Sequence, residues 1–265
     1  MDFKKKKGYP DAAILAQQVF SGKVTPKNLP LDVYVFNATQ LKSASEKALK
    51  IKFSEIDYKT PNFKRIEACR TNIWKFSAAK TFHQVVQMND ALIQDNKIIP
   101  FADFKEKVAE INDKFNDTWL ETEYNTAFGQ SQMIEQWARF EEQADILPYL
   151  QYITSSGEAT CDICQPCDGV TLPVDDEFWD TNGVLQHFNC ECLIIQVPAD
   201  EAKVTPQREA DRISEDVNPL KHGMFMSNAG KSGIIFNKET PYFNVPKQYE
   251  QFAKTNFGLP IPKKN

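Results

Sequence analysis

The chain has 265 residues, of which 42% are apolar and 25% charged, with a formal net charge of −5. These values describe a globular chain with room for one large or two small domains. They exclude collagen-like and low-complexity classes, and no run of about 18 apolar residues offers a transmembrane helix. The start, MDFKKKKGYP, has a basic cluster but no apolar stretch behind it. No secretory signal is expected there, and a reducing cytoplasm is the default at synthesis.

Residues 1–10 read as a basic, flexible arm. Asp11 is placed to cap a short helix carrying Ile14, Leu15, Val19 and Phe20, stopped at Gly22. The alternation Leu31, Val33, Val35 between prolines predicts a connector with a short strand, and Thr39 is expected to cap the next helix. From Pro61 a long helical pattern runs to Ile93. Cys69 and His83 fall inside it and read as packed helix residues. After the break DNKIIP, the spacing of Phe104, Val108, Ile111, Phe115 and Trp119 is an apolar helical stripe. Without a proline over 101–147, it predicts one helix of about 40 residues, or two with a kink near Gly129. This aromatic stripe reads as core.

Pro148 closes the helical zone. LPYLQYITSSG alternates as a strand and is expected to turn over Ser155 to Gly157. LIIQVP, from Leu193 to Pro198, is a short apolar strand and a hairpin-like partner for Tyr149 to Thr154. EAKVTPQREADRISEDVNP reads as a linker or short helix. In the tail, AGKS resembles a phosphate loop only superficially. The loop needs a glycine at position 225, which is Phe225.

Between the two strands lies the densest chemistry. Five of the six cysteines and one of the three histidines fall in the 32 residues from Cys161 to Cys192. The frame is C-x2-C, a gap of 22 residues, then H-x2-C-x-C. Two close pairs of soft ligands joined by a loop enclose a tetrahedral Zn²⁺. Cys161 and Cys164 form the first pair. His187 and Cys190 form the second most simply, with Cys192 as an alternate to either. Cys167 sits just before the Asp168-Gly169 turn and is left outside the set. Four Cys/His ligands leave no position for water or substrate, which makes the site structural rather than catalytic.

Charge is distributed unevenly. No Lys or Arg lies between Arg139 and Lys203, while 13 Asp and Glu occupy 140–202, leaving 31 basic against 36 − 13 = 23 acidic residues elsewhere. An acidic module in a mildly basic body is suited to protein contact more than to gripping phosphate. A metal-dependent nuclease or toxin-like enzyme built on His187 and Asn189 is the alternative. It lacks a second histidine in the region, the nearest being His222. A zinc deaminase would need H-x-E, and His187-Phe188-Asn189 departs from it. Asp175, Asp176 and Glu177 read as a solvated acidic turn.

The order Cys161-x2-Cys164-x3-Asp168-Gly169, then DDEFW, then His187-x2-Cys190-x-Cys192 and an apolar strand resembles the phage head morphogenesis domain of the Mu F-like minor head proteins. The helical stretches RTNIWKFSAAKTF and TEYNTAFGQSQMIEQW are similar to that family too, so the resemblance covers roughly 61–198. Glu191 stands where relatives usually carry a basic residue, and the family's ADP-ribosylating extensions are not recognisable. The resemblance implies a non-enzymatic minor head protein of a tailed phage or prophage, acting in head assembly or DNA delivery. Its implied partners are portal and/or major capsid protein, in multiple copies, close to packaged DNA. Its implied location is the head or portal region of the virion, and the host cytoplasm during assembly.

The expected fold is α+β and predominantly helical: long α-helices, then a small zinc-stapled β-hairpin-like module, then a short irregular tail. The expected divisions are an N-terminal arm with short helices (1–60), a long-helix body (61–147), the Cys/His module (148–198), and a linker and C-terminal tail (199–265).

Overall fold

The computed structural model describes residues 1–155 and 161–262. The fold is α+β and predominantly helical. Helix α1 (Ala12–Phe20) begins at Asp11, whose carboxylate accepts from the amides of Ala13 and Ile14 at 2.8 and 3.1 Å. This satisfies two of the amides a helix start leaves open. Gly22, at φ +72°, supplies the left-handed exit. Leu15, Ala16 and Val19 face inward, whereas Ile14 is exposed.

Two expectations fail in the next segment. Helix α2 (Leu31–Leu49) absorbs both the strand read at Leu31, Val33 and Val35 and the helix start read at Thr39. Its buried side runs Val33, Asn37, Leu41, Ala44, Ser45, Ala48, at helical spacing, while Leu31 and Val35 point outward. The polar Asn37 inside that stripe hides the periodicity. The N-terminal arm is also anchored rather than loose. Phe3 is fully buried against Tyr124, and the Tyr9 hydroxyl donates to Asp113 at 2.9 Å.

Helix α3 (Phe63–Ala91) is followed by a minimal hairpin, β1 (Ile93–Gln94) and β2 (Lys97–Ile98). Asp95 and Asn96 both take positive φ at its tip, as a two-residue hairpin turn requires. The long helical run then follows as α4 (Phe101–Asp113), a π-helical turn at Lys114–Thr118, and α5 (Trp119–Glu142). The irregularity lies at that π turn and not at Gly129. Phe104, Val108 and Phe115 of the stripe are buried, as its core reading expected, while Ile111 and Trp119 are half-buried.

A three-stranded antiparallel sheet has the order β4 (Thr171–Pro173), β3 (Tyr149–Ile153), β5 (Leu193–Val197). The expected pairing of β3 with β5 is present, in the register Tyr149↔Val197 to Ile153↔Leu193. The third strand, β4, goes beyond the hairpin expected. Of the turn expected over Ser155 to Gly157, Gly157 lies outside the described residues. Helices α6 (Phe178–Thr181), α7 (Gln207–Val217), α8 (Ala229–Ser232) and α9 (Glu250–Lys254) complete the chain.

These elements form two units. The first joins Met1–Ala44, Arg70–Asn125 and the chain from Pro241 on; the second joins Ser45–Cys69 with Thr126–Thr240. In the first unit, Lys80 and Glu123 form a buried ion pair to which the Tyr242 hydroxyl adds a hydrogen bond. Phe82 stacks on Phe257 with centroids 4.9 Å apart. His83 Nε2 lies 3.1 Å from the Tyr242 carbonyl, and Cys69, in the second unit, is buried against Ser131. Both are packed helix residues, as read from the sequence.

In the second unit one core joins Trp137 and Phe140 of α5, Leu150 and Tyr152 of β3, Ile194 of β5, Trp179 of α6 and Val217 of α7. The AGKS stretch is α8, a packing turn. Lys231 pairs with Asp180 and lies over the Trp137 ring at 5.4 Å. A Cβ at Gly230 would come within 2.8 Å of both the Met133 carbonyl oxygen and Trp137 Cβ. Gly230→Ala is therefore expected to destabilise the protein by about 1–3 kcal/mol through overpacking. A urea unfolding midpoint equal to that of the wild type would contradict this.

Candidate metal centre

The site is built by two turns that meet at one end of the sheet. The first turn leaves β3 and carries Cys161, Cys164 and Cys167. The amides of Cys164 and Gln165 both return to the Cys161 carbonyl, at 3.1 and 3.0 Å, curling the chain so that both side chains of the first pair face one point. Asp168 closes the turn, accepting from the Thr154 amide and hydroxyl at 2.8 and 2.9 Å, and Gly169 takes φ +76°. The second turn is His187 to Cys192, where the Cys190 amide meets the His187 carbonyl at 3.4 Å. Asn189 sits at φ +57°, a conformation asparagine tolerates better than most residues. That turn geometry accounts for Asn189 without a catalytic role.

All five residues expected as ligands converge. Cys161, Cys164 and His187 form one group whose ligand atoms lie within 4.8 Å of one another, and Cys164, Cys190 and Cys192 form another. Cys164 belongs to both. The Sγ atoms of Cys164 and Cys190 are 3.8 Å apart. That is far beyond a disulfide of about 2.0 Å. It matches the edge of about 3.8 Å in a tetrahedron with metal–sulfur bonds of about 2.3 Å. His187 Nδ1 donates to the Phe188 carbonyl at 2.8 Å, which leaves the Nε2 lone pair available. The cluster could hold a metal ion.

Cys167 is brought near but belongs to neither group. It is fully buried, accepts from Gln186 Nε2 at 3.6 Å, and lies 3.8 Å from the Ile163 carbonyl. Burial pushes its thiol up. Among the metal-free thiols, hydrogen bonds from Cys164 and Cys192 hold Cys190 well below the usual thiol range, while the same contact with Cys190 drives Cys164 upward. One thiolate among proton-sharing neighbours is what crowding of sulfurs in a buried site produces.

Two supporting residues went unnoticed in the sequence. The Tyr152 hydroxyl donates to Cys164 Sγ at 3.5 Å and accepts from Gln186 Nε2 at 3.0 Å. Burial keeps that phenol protonated, so it acts as a donor. Tyr152 could have been found from the inward parity of β3, which places Leu150 and Tyr152 on the core side. Gln186 adjoins His187 and is 1% exposed. Of the acidic turn, Asp176 caps the Phe178 amide at 2.8 Å and holds no place in the cluster.

Replacing Tyr152 by Phe removes the hydroxyl that donates to Cys164 Sγ and leaves the Gln186 amide only its longer contact to Cys167 Sγ. The substitution is expected to destabilise the protein by about 1–3 kcal/mol, the cost of unsatisfied buried groups. Chemical denaturation checks this, and an unchanged midpoint would show that the contacts carry no net stability.

The family model for Phage Mu protein F like protein matches residues 87–195. The match starts later than the resemblance from about residue 61, and it contains both turns and all five clustered side chains. No curated protein and no solved structure matches the chain. Among the described residues, no helix is long and apolar enough to cross a membrane. Over residues 87–195, less than half of its length, the chain is similar to the Mu F-like proteins of phage head morphogenesis.

Proposed function

We propose that this chain is a minor head protein of a tailed phage or prophage, acting in head assembly or DNA delivery with a structural zinc ion. The observation that carries the reading is the clustering of Cys161, Cys164, His187, Cys190 and Cys192 inside the family-matched segment. Thiolate and imidazole ligands favour Zn²⁺ over the hard ions that take carboxylates. Cys161, Cys164 and His187 supply three positions, and Cys190 or Cys192 the fourth. Such a set is closed to water, which argues for a stabilising rather than a catalytic ion. The turns that carry it have little apolar core of their own, and metal binding contributes directly to folding in such elements. When bound, the ion would supply cross-links between the two turns.

The zinc module is assigned to 148–198 and the long-helix body to 61–147. The module's lack of Lys and Arg between Arg139 and Lys203 favours protein partners, namely portal and/or major capsid protein. The basic remainder suits proximity to packaged DNA. A role in the head or portal region of the virion, in several copies, follows from the family.

The test combines metal content with particle composition. Purified wild-type chain is expected to carry one zinc per chain by native mass spectrometry, and to be present in purified heads. Cys164→Ser, which removes the sulfur shared by both ligand groups, is expected to lose the metal and to be absent from heads. Wild-type chain that is missing from heads would overturn the assembly role. Cys164→Ser chain that retains stoichiometric zinc would overturn the metal site.

A further inference from the structure

A layer of four side-chain amides runs through the first unit. Asn37 comes from α2, Gln84 from α3, Asn112 from α4 and Asn116 from the π-helical turn, and none is more than 1% exposed. Two backbone carbonyls fix which way these amides face, because a carbonyl can only accept. Asn112 Nδ2 donates to the Pro10 carbonyl at 3.1 Å, which turns Asn112 Oδ1 toward the layer. There it accepts from Asn116 Nδ2 at 2.8 Å and from Gln84 Nε2 at 3.4 Å, filling both lone pairs. Asn37 Nδ2 donates to the Val33 carbonyl at 3.1 Å and to Asn116 Oδ1 at 2.8 Å, using both of its protons.

Donors and acceptors do not balance in this layer. Asn37 Oδ1 and Gln84 Oε1 are buried and accept from no group among the described residues. Turning an amide over does not mend this. It would set Asn37 Oδ1 against the Val33 carbonyl, or Gln84 Oε1 against Asn112 Oδ1, oxygen facing oxygen. The donors one turn away on α3 are committed. Lys80 pairs with Glu123, and the Thr81 hydroxyl donates to the Ser77 carbonyl at 2.8 Å. Buried amide oxygens left without a donor are rare and costly. The missing partner must be small enough for a packed core and rich in donors. The printed partners of the layer are amides and carbonyls, with no carboxylate to balance a cation. These demands describe a neutral donor.

We propose that the first unit binds internal water in this layer, which donates to Asn37 Oδ1 and Gln84 Oε1. Internal water ordinarily completes such groups, with about three hydrogen bonds each. The site joins the arm at Pro10, α2, α3, α4 and the π turn in one hydrogen-bonded layer, and it stands apart from the metal reading. A crystal structure of the full chain, with a second crystal grown in rubidium chloride, tests it. Solvent peaks are expected about 2.5–3.0 Å from Asn37 Oδ1 and from Gln84 Oε1, without an anomalous rubidium signal. Oxygens that have no peak, or that have turned onto donors of the chain, overturn the proposal. A rubidium peak in the layer also overturns it, since the ligand is then a monovalent cation. In solution, oxygen-17 relaxation dispersion is expected to detect at least one long-lived water, and detecting none overturns the site.

Discussion

The sulfur of Cys164 is the point on which the second unit turns. It sits 3.8 Å from Cys190 Sγ, belongs to both ligand groups, and receives the Tyr152 hydroxyl from the core side. Two turns with no regular hydrogen-bond ladder between them meet there. Strands β3, β4 and β5 have three to five residues each, and a sheet this small depends on packing against other elements. Their inner face leans on Trp137, Phe140 and Trp179, and their open end leans on the cluster. Packing on one side and soft ligands on the other make the module a single cooperative piece.

The arrangement also orders the surrounding chemistry. Tyr152 and Gln186 place donors beside sulfur, as outer-shell groups do around thiolate metals. Asn189 and Gly169 use left-handed backbone to turn the two loops sharply enough to aim their side chains inward. None of these groups forms an open, water-accessible constellation of acid, base and nucleophile. The clustered side chains could hold a metal ion, and they lie in the segment that is similar to the Mu F-like proteins.

How much could be read in advance depended on whether the signal was local. The Cys/His frame was legible because ligand spacing within a turn is set by the turn itself. The pairing of β3 with β5 followed from placing their ends on one cluster. Asp11 and Gly22 marked α1 because capping is chemistry within four residues. Helix α2 was misread because prolines and two exposed apolar residues, Leu31 and Val35, mimic a strand, while Asn37 interrupts the buried stripe. Strand β4 has three residues, too few to show a period, and exists because β3 offers it an edge. The basic arm was misjudged because Phe3 and Tyr9 are anchors whose sockets are distant in sequence.

The central claim is that four of the five clustered side chains hold zinc in a closed, sulfur-rich tetrahedron. Zinc-edge X-ray absorption on the purified full chain tests it most directly. The account predicts a four-coordinate shell of three or four sulfurs at about 2.3 Å, completed where needed by one imidazole nitrogen at about 2.0 Å. A shell dominated by oxygen, or one with a water in the fourth position, would contradict it.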